Sequence, residues 1–102
     1  MLLITNNANL RAFCQRLAGT DYITIDTEFL REKTYWPQLC LIQIANDDEA
    51  AVIDALAPGI DLSPVFDILK DTSVMKVFHA ARQDMEIFYN LMHELPKPIF
   101  DT

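Results

Sequence analysis

The segment Tyr22–Phe29, with the sequence YITIDTEF, is the stretch that decides the fold of this chain. β-Branched and aromatic residues alternate with polar ones along it, which predicts a β-strand over about residues 22–30. Because side chains alternate between the two faces of a strand, Asp26 and Glu28 project from the same face, roughly 7 Å apart. Two carboxylates at this spacing repel each other unless a cation lies between them or one of them is protonated. The pair therefore predicts a partner elsewhere in the chain.

The composition is that of a small domain, or part of one, that does not hold nucleic acid by basic residues alone. The 102 residues are 51% hydrophobic, which is enough for a core, and the formal net charge is −7. Such acidity argues against a basic patch that neutralises phosphates, although bound divalent metal ions can supply the missing positive charge.

The sequence predicts a soluble, cytoplasmic protein without membrane contacts. The two cysteines, Cys14 and Cys40, give no disulfide framework and fit a reducing cytosol. The apolar residues 1–4 are too few for a signal peptide, and no apolar run reaches membrane-spanning length.

Apolar periodicity and turn residues predict the other elements. In chain order these are a helix capped by Thr5 or Asn6 and closed by Gly19, strands at 39–45 and 50–54, a helix starting at Asp61 or Ser63, a strand at 74–78, a helix at 80–92 and an extended segment at 95–100. This order predicts an α/β mixed sheet, with three antiparallel strands and then parallel strands, flanked by helices. The strand at 39–45 is apolar on both faces, so we expect it to be central and covered on both sides.

A third carboxylate, Asp84, lies on the predicted helix at 80–92 and shares an apolar stripe with Ile87, Phe88 and Leu91. A carboxylate on a core-facing stripe is costly to bury without a partner. If the strand at 74–78 lies beside the strand at 22–30, this stripe brings Asp84 towards the first two carboxylates. Three converging carboxylates form an oxygen-ligand site suited to Mg²⁺ or Mn²⁺. Taken singly, Asp84 is more typical of a helix start and an Asp-x-Glu of a solvated strand edge, so the hypothesis depends on all three.

Further residues are candidates for contacting a substrate. Tyr35 and Trp36 suit stacking on bases, although covering a loop with apolar surface is at least as common a role. His79 follows a strand and is more typical of a hydrogen-bonding histidine than of a ligand, and Gln38 completes the set of substrate-binding candidates. The basic residues near the carboxylates are few and are Arg31, Lys33 and Arg82.

Three ordered blocks of the sequence resemble ribonuclease D, the DEDD-type 3′-5′ exoribonuclease family with a ribonuclease H-like fold. The blocks are DTEF at 26–29, TYWPQLCLIQI at 34–44 and KVFHAARQDMEIF at 76–88. The resemblance continues through Leu95-Pro96 and Phe100-Asp101-Thr102, so it covers nearly the whole chain.

The resemblance implies two-metal hydrolysis of phosphodiester bonds at RNA 3′ ends, with release of nucleoside 5′-monophosphates. It implies that Asp26 and Glu28 form the first exonuclease motif and that Asp84 belongs to the second. Asp26 would bridge two Mg²⁺ or Mn²⁺ ions, Glu28 would hold the ion that activates water, and Asp84 would serve the other ion. The implied substrates are single-stranded RNA 3′ ends and tRNA precursors.

The third motif of that family, a Tyr-x-x-x-Asp on a later helix, has no counterpart in residues 1–102. Tyr89 is followed three and four residues on by Met92 and His93, so it does not substitute. We therefore expect an N-terminal part of an exonuclease domain, C-terminally incomplete and without the accessory RNA-binding domain that often follows. On this view activity is impaired, and apolar surface left uncovered favours self-association.

Two alternative functions stay open at this point. A DNA-directed 3′-5′ exonuclease of the same superfamily would differ in its contacts to the 2′-hydroxyl, which the sequence does not reveal. A non-catalytic remnant that binds nucleic acid or a protein partner has no physical reason to keep three converging charges, which favours the enzyme.

Overall fold

The strand expected at residues 22–30 forms and lies inside a six-stranded sheet. The computed structural model describes residues 1–30 and 38–102 of the chain. In chain order the elements are β1 (Leu2–Ile4), α1 (Asn7–Leu17), β2 (Tyr22–Leu30), β3 (Gln38–Ala45), β4 (Ala50–Asp54), α2 (Ser63–Lys70), β5 (Met75–Phe78), α3 (Arg82–Met92) and β6 (Ile99–Asp101). Every strand and helix expected from the sequence is present, and β1 is an addition to them.

The sheet has the mixed topology that the sequence predicts. Its strand order is β1-β4-β3-β2-β5-β6, in which β2, β3 and β4 pair antiparallel and β5 and β6 continue in parallel from β2. β1 pairs parallel with β4, from Leu2 opposite Ala51 to Ile4 opposite Ile53. Three residues are too few to show a strand period, so only the pairing with β4 makes this segment a strand.

Helix α1 begins and ends where local signals place it. Its N-cap is Asn6, whose side chain accepts a hydrogen bond from the backbone N–H of Asn9 at 2.9 Å. Gly19, just after the helix, has a φ of 83°, a conformation that glycine adopts without strain. The buried side chains follow the predicted stripe and are Leu10, Phe13, Cys14 and Leu17.

All three helices of the described residues bury apolar side chains against the same face of the sheet. The core is one cluster that joins Phe13, Leu69 and Phe88 of the helices to Ile42 and Ile44 of β3. None of these helices is both long and apolar enough to cross a membrane.

The expectation that β3 is covered on both sides is wrong for the described part of the chain. Ile42 and Ile44 are fully buried on the helix-covered side, but Gln43 between them is exposed. Asp26, Gln43 and Val52 pair in one row across the uncovered side, which we call the open face. The reason is that the three helices all pack on the other side of the sheet.

A β-bulge in β3 explains why its sequence looks apolar on both faces. Glu28 pairs with Leu41 and Phe29 pairs with Leu39, so Cys40 has no residue opposite it on β2. The extra residue turns Leu39 back to the core side, where it is buried beside the half-buried Phe29. The run 39–41 therefore breaks the two-residue alternation on which the prediction relied.

Lys76 is fully buried on the core side of β5, which the sequence does not predict. Its ammonium group donates hydrogen bonds to the backbone carbonyl oxygens of Asp71, at the end of α2, and of Lys97, the latter at 2.9 Å. Burial lowers the pKa of Lys76, and the negative charge of Asp71 opposes that shift. The two carbonyls replace water around the charge, so Lys76 joins β5 to α2 and to the segment before β6.

Candidate active site

The two carboxylates of β2 stand where this strand extends beyond its neighbour β5. β5 pairs with β2 over Tyr22–Thr24, whereas β3 pairs with β2 as far as Leu30. Asp26 and Glu28 follow the part paired with β5, and both side chains are exposed on the open face, as the strand period predicts. Both charges are therefore accessible to a ligand from that side.

Two grooves on the open face meet at Asp26. The larger has a volume of about 300 Å³ and is lined by Thr24 and His79, among other residues. The smaller has a volume of about 170 Å³ and includes Glu28, while Asp26 and Gln43 line both grooves. An extended ligand lying along them would pass Asp26 and then Glu28. A larger cavity, of about 440 Å³ between α1 and α2, is lined by none of these carboxylates.

Asp84 approaches the same place from the core side of the sheet. It lies in the first turn of α3, and only 6% of its surface is exposed. Ile87 and Phe88 are buried as the stripe predicts, but the prediction is wrong for Leu91, which is 45% exposed, because α3 turns the next residue, Met92, to the core instead. The hydroxyl of Thr27, between the two β2 carboxylates in sequence, donates a hydrogen bond to Oδ1 of Asp84. Burial raises the pKa of Asp84; the Thr27 hydrogen bond opposes that rise, and the charges of Asp26 and Asp101 add to it.

The structure thus brings Asp84 near Asp26, as the stripe on the helix predicts, but from the opposite side of the strand. Asp26 and Glu28 lie on the open face, whereas Thr27 and Asp84 lie on the core side. Within residues 1–30 and 38–102, no group of three or more His, Cys, Asp or Glu side chains is arranged to hold a metal ion. The donor chemistry fits such an ion, because carboxylate oxygens are the ligands that Mg²⁺ and Mn²⁺ favour.

His79 is the other candidate residue that the structure places beside Asp26. It is exposed, it lines the larger groove, and its Nδ1 lies 3.0 Å from the hydroxyl oxygen of Thr102. Gln38 is exposed at the start of β3, opposite Leu30. The predictions for four neighbouring residues fall outside the described part of the chain, namely Arg31, Lys33, Tyr35 and Trp36.

Two residues that hold this site together were not among the sequence candidates. The strand period places Thr27 on the apolar face of β2, and a hydroxyl there is a usable signal of a buried polar partner. Asp101 accepts the backbone N–H of Ala81 with both carboxylate oxygens, each at 3.2 Å. No local pattern reveals that contact, because its two residues are 20 positions apart.

Asp84 is expected to make the stability of the metal-free chain depend on pH. Its folded-state pKa lies above the ordinary 3.8, so the folded chain binds more protons than the unfolded chain between the two pKa values. Stability should therefore fall as the pH rises through that interval. We expect Asp84→Asn to raise the melting temperature at pH 7 and to have little effect at pH 3. Thermal unfolding by circular dichroism at both pH values checks this, and an equal shift at both would contradict it.

Comparison with known proteins first gives the class of this domain. The family model described as 3′-5′ exonuclease matches residues 1–102. The crystal structure of Escherichia coli RNase D superposes with a TM-score of 0.89 at 41% identity, covering 97% of this chain and 26% of that one. The Trypanosoma brucei RNase D complex with RNA U12 gives a TM-score of 0.83 at 20% identity, covering 97% of this chain and 36% of that one, which supports the fold alone. The fold is that of a 3′-5′ exonuclease domain.

Sequence comparison with curated relatives shows which 3′-5′ exonucleases this chain resembles. The chain is 57% identical over 102 residues to ribonuclease D of Nitrobacter hamburgensis and 55% identical over 101 residues to that of Sphingobium indicum. These alignments cover 100% and 98% of this chain but 27% and 26% of the relatives, so the chain spans about a quarter of their length. The chain belongs to the 3′-5′ exonuclease family, and the resemblance of its sequence to ribonuclease D is confirmed.

Proposed function

We propose that this chain contributes to a metal-dependent 3′-5′ exoribonuclease site that removes nucleotides from RNA 3′ ends. The observation that carries the proposal is the arrangement of three carboxylates around Thr27, with Asp26 and Glu28 exposed on the open face and Asp84 held from the core side. The chain spans only about a quarter of its ribonuclease D relatives. The activity and substrates of a whole protein are therefore part of this proposal.

The three carboxylates would hold Mg²⁺ or Mn²⁺, and each has different surroundings. Asp26 lies at the junction of the two grooves and within electrostatic range of Asp84, so it is the residue best placed to be shared by two ions. Glu28, in the smaller groove, would serve the ion that activates water, and Asp84 would serve the other ion. Such ions, when bound, lower the pKa of a bound water and stabilise the charge that develops on the attacked phosphate.

The protein itself supplies position and a binding surface. Asp26 and Glu28 stand opposite Gln43 and Leu41 of β3, so both carboxylates project from a hydrogen-bonded strand rather than a loop. The Thr27 hydroxyl fixes the Asp84 carboxylate from the other side. The larger groove, of about 300 Å³, is at the small end of the range found for ligand sites and ends at Asp26. A 3′-terminal nucleotide is the ligand that we place there.

RNA is the proposed substrate, as single-stranded 3′ ends or as precursors of structured RNAs such as tRNA, and the cytoplasm is the proposed location. Because the net charge is −7, we expect the RNA phosphates to be bound through metal ions and not by a basic surface. The Escherichia coli RNase D, at 41% identity, is described as an exoribonuclease involved in structured RNA processing, which supports this choice.

The direct test is digestion of one RNA oligonucleotide that carries its label at the 3′ end in one sample and at the 5′ end in another. With Mn²⁺, we expect the 3′ label to leave at once as a mononucleotide, while the 5′-labelled strand shortens one nucleotide at a time. We expect slow turnover, because residues 1–102 hold no Tyr-x-x-x-Asp on a helix after α3. Internal cuts, or digestion that persists in EDTA, would contradict the proposal.

Two further samples separate the alternatives. DNA of the same sequence, digested faster than the RNA, would identify a DNA-directed exonuclease of the same family. Calorimetry with Mn²⁺ in the absence of nucleic acid tests the site without its reaction. Binding of Mn²⁺ without digestion of either substrate would favour a non-catalytic binding module.

Self-association through the open face is also expected. This face continues from Leu3 on β1, opposite Val52, to Phe100 on β6, opposite Val77, and Leu3 and Phe100 are 63% and 58% exposed. Apolar surface of this kind favours association. Light scattering should give an apparent mass that rises with concentration, and Phe100→Ser should reduce that rise. Leu95→Ser, at 52% exposure in the segment after α3, is the control, and a monomeric mass at all concentrations would contradict the prediction.

A further inference from the structure

Helix α3 carries Asp84 in its first turn, yet it begins without a capping side chain of its own. Its N-cap residue is Ala81, which makes no side-chain hydrogen bond, and alanine is a poor residue at this position. Ala80 precedes it with a φ of 55°, a left-handed conformation that alanine rarely adopts. A helix start built in this way depends on a group from elsewhere in the chain.

That group is the Asp101 carboxylate at the end of β6. Both of its oxygens lie 3.2 Å from the backbone nitrogen of Ala81 and accept its N–H. The position suits an anion, because the N-terminus of a helix carries a partial positive charge. The contact is built into the sheet, since Asp101 stands opposite Phe78, the last residue of β5.

Thr102 holds the same turn at a second point. Its backbone N–H donates to the carbonyl oxygen of Phe78 at 2.9 Å, and its hydroxyl lies 3.3 Å from that oxygen. The hydroxyl oxygen also lies 3.0 Å from Nδ1 of His79. The turn between β5 and α3 is therefore held by hydrogen bonds to two consecutive residues, Asp101 at the end of β6 and Thr102 directly after it.

We propose that Asp101 is a positioning residue for Asp84, acting through the N–H of Ala81 at the start of α3. Asp84 follows Ala81 by three residues, so the same turn of helix carries the capped amide and the buried carboxylate. The Thr27 hydroxyl holds the Asp84 carboxylate itself. Asp84 is thus fixed at its backbone by β6 and at its side chain by β2. This inference rests on the proposed function only in taking Asp84 as a metal ligand.

The test compares Asp101→Ala with Asp101→Asn, which keeps an oxygen acceptor for the N–H of Ala81. Asp48→Ala, an exposed carboxylate in the turn between β3 and β4, is the control with the same change of charge. Amide hydrogen exchange of the chain without metal reports the first turn of α3. Asp101→Ala should lower protection there about fivefold, as expected for the loss of a capping acceptor, and should leave β2 and β3 unchanged.

Calorimetry with Mn²⁺ then reports the carboxylates. Asp101→Ala should weaken Mn²⁺ binding about 10–100-fold, as found when groups that orient metal ligands are removed. Asp101→Asn should restore most of both losses. Two results for Asp101→Ala would overturn the positioning role: unchanged amide protection in α3, or a loss of protection that is equal across the whole sheet. An Asp101→Asn variant with normal protection but weak Mn²⁺ binding would overturn it as well. If the unaltered chain binds no Mn²⁺, the proposed function fails and the exchange data alone decide the positioning role.

Discussion

Asp26→Ala is expected to reduce Mn²⁺-dependent release of nucleotides from RNA 3′ ends by about 100–1,000-fold, the loss typical when one group that stabilises transition-state charge is removed. Asp26 is the carboxylate at which the two grooves of the open face meet. Its negative charge also raises the pKa of Asp84, which lies on the other side of the strand. Its removal should therefore weaken the attachment of more than one ion. Rates of release from 3′-labelled RNA, measured over a range of Mn²⁺ concentrations, check this expectation.

The same variant separates loss of the site from loss of the fold. Asp26 is exposed, and its side chain accepts a local hydrogen bond from the backbone N–H of Thr27, so its replacement should change the melting temperature by little. Asp48→Ala, with the same change of net charge, should digest RNA like the unaltered chain. Retention of activity in Asp26→Ala would remove the β2 carboxylates from the proposed site.

Phe88→Ala is expected to have the opposite profile, a large loss of stability. Phe88 is fully buried on α3, and its ring centroid lies 6.4 Å from that of Phe78 with the planes at 60°. Truncation of a buried phenylalanine costs about 3–5 kcal/mol through lost burial and the cavity left behind. For a chain of this size that corresponds to a fall of about 15–30 °C in melting temperature. Urea denaturation and a thermal scan measure both quantities.

The matched control is the next residue on the same helix. Tyr89 is 54% exposed, so Tyr89→Ala removes an aromatic ring of similar size without opening a cavity and should cost less than about 1 kcal/mol. Phe88 lies one turn beyond Asp84, so loss of its packing should also loosen the helix that carries this carboxylate. Equal effects of the two substitutions would show that α3 does not depend on its buried stripe.

The elements that could be predicted from the sequence are those whose signals are local. The alternation along Tyr22–Leu30 specifies both a strand and the face that carries Asp26 and Glu28, because side chains of a strand must alternate. Helix α1 can also be predicted from local signals, because its Asn6 cap and its apolar stripe lie within a few residues of each other. The stripe of α3 likewise predicts that Asp84 turns towards the core.

Only the tertiary structure decided how these elements meet. It packs all three described helices on one side of the sheet, which leaves the face of Asp26 open, and it brings Asp84 to Thr27 across 57 positions. It also places Asp101 at the start of α3 and surrounds the ammonium of Lys76 with two carbonyl oxygens. These contacts depend on strand order and on the pairing of distant segments, and the short-range periodicity of the sequence predicts neither. The sequence by itself determined which residues are chemically able to act, and the packing of distant segments determined which of them stand together.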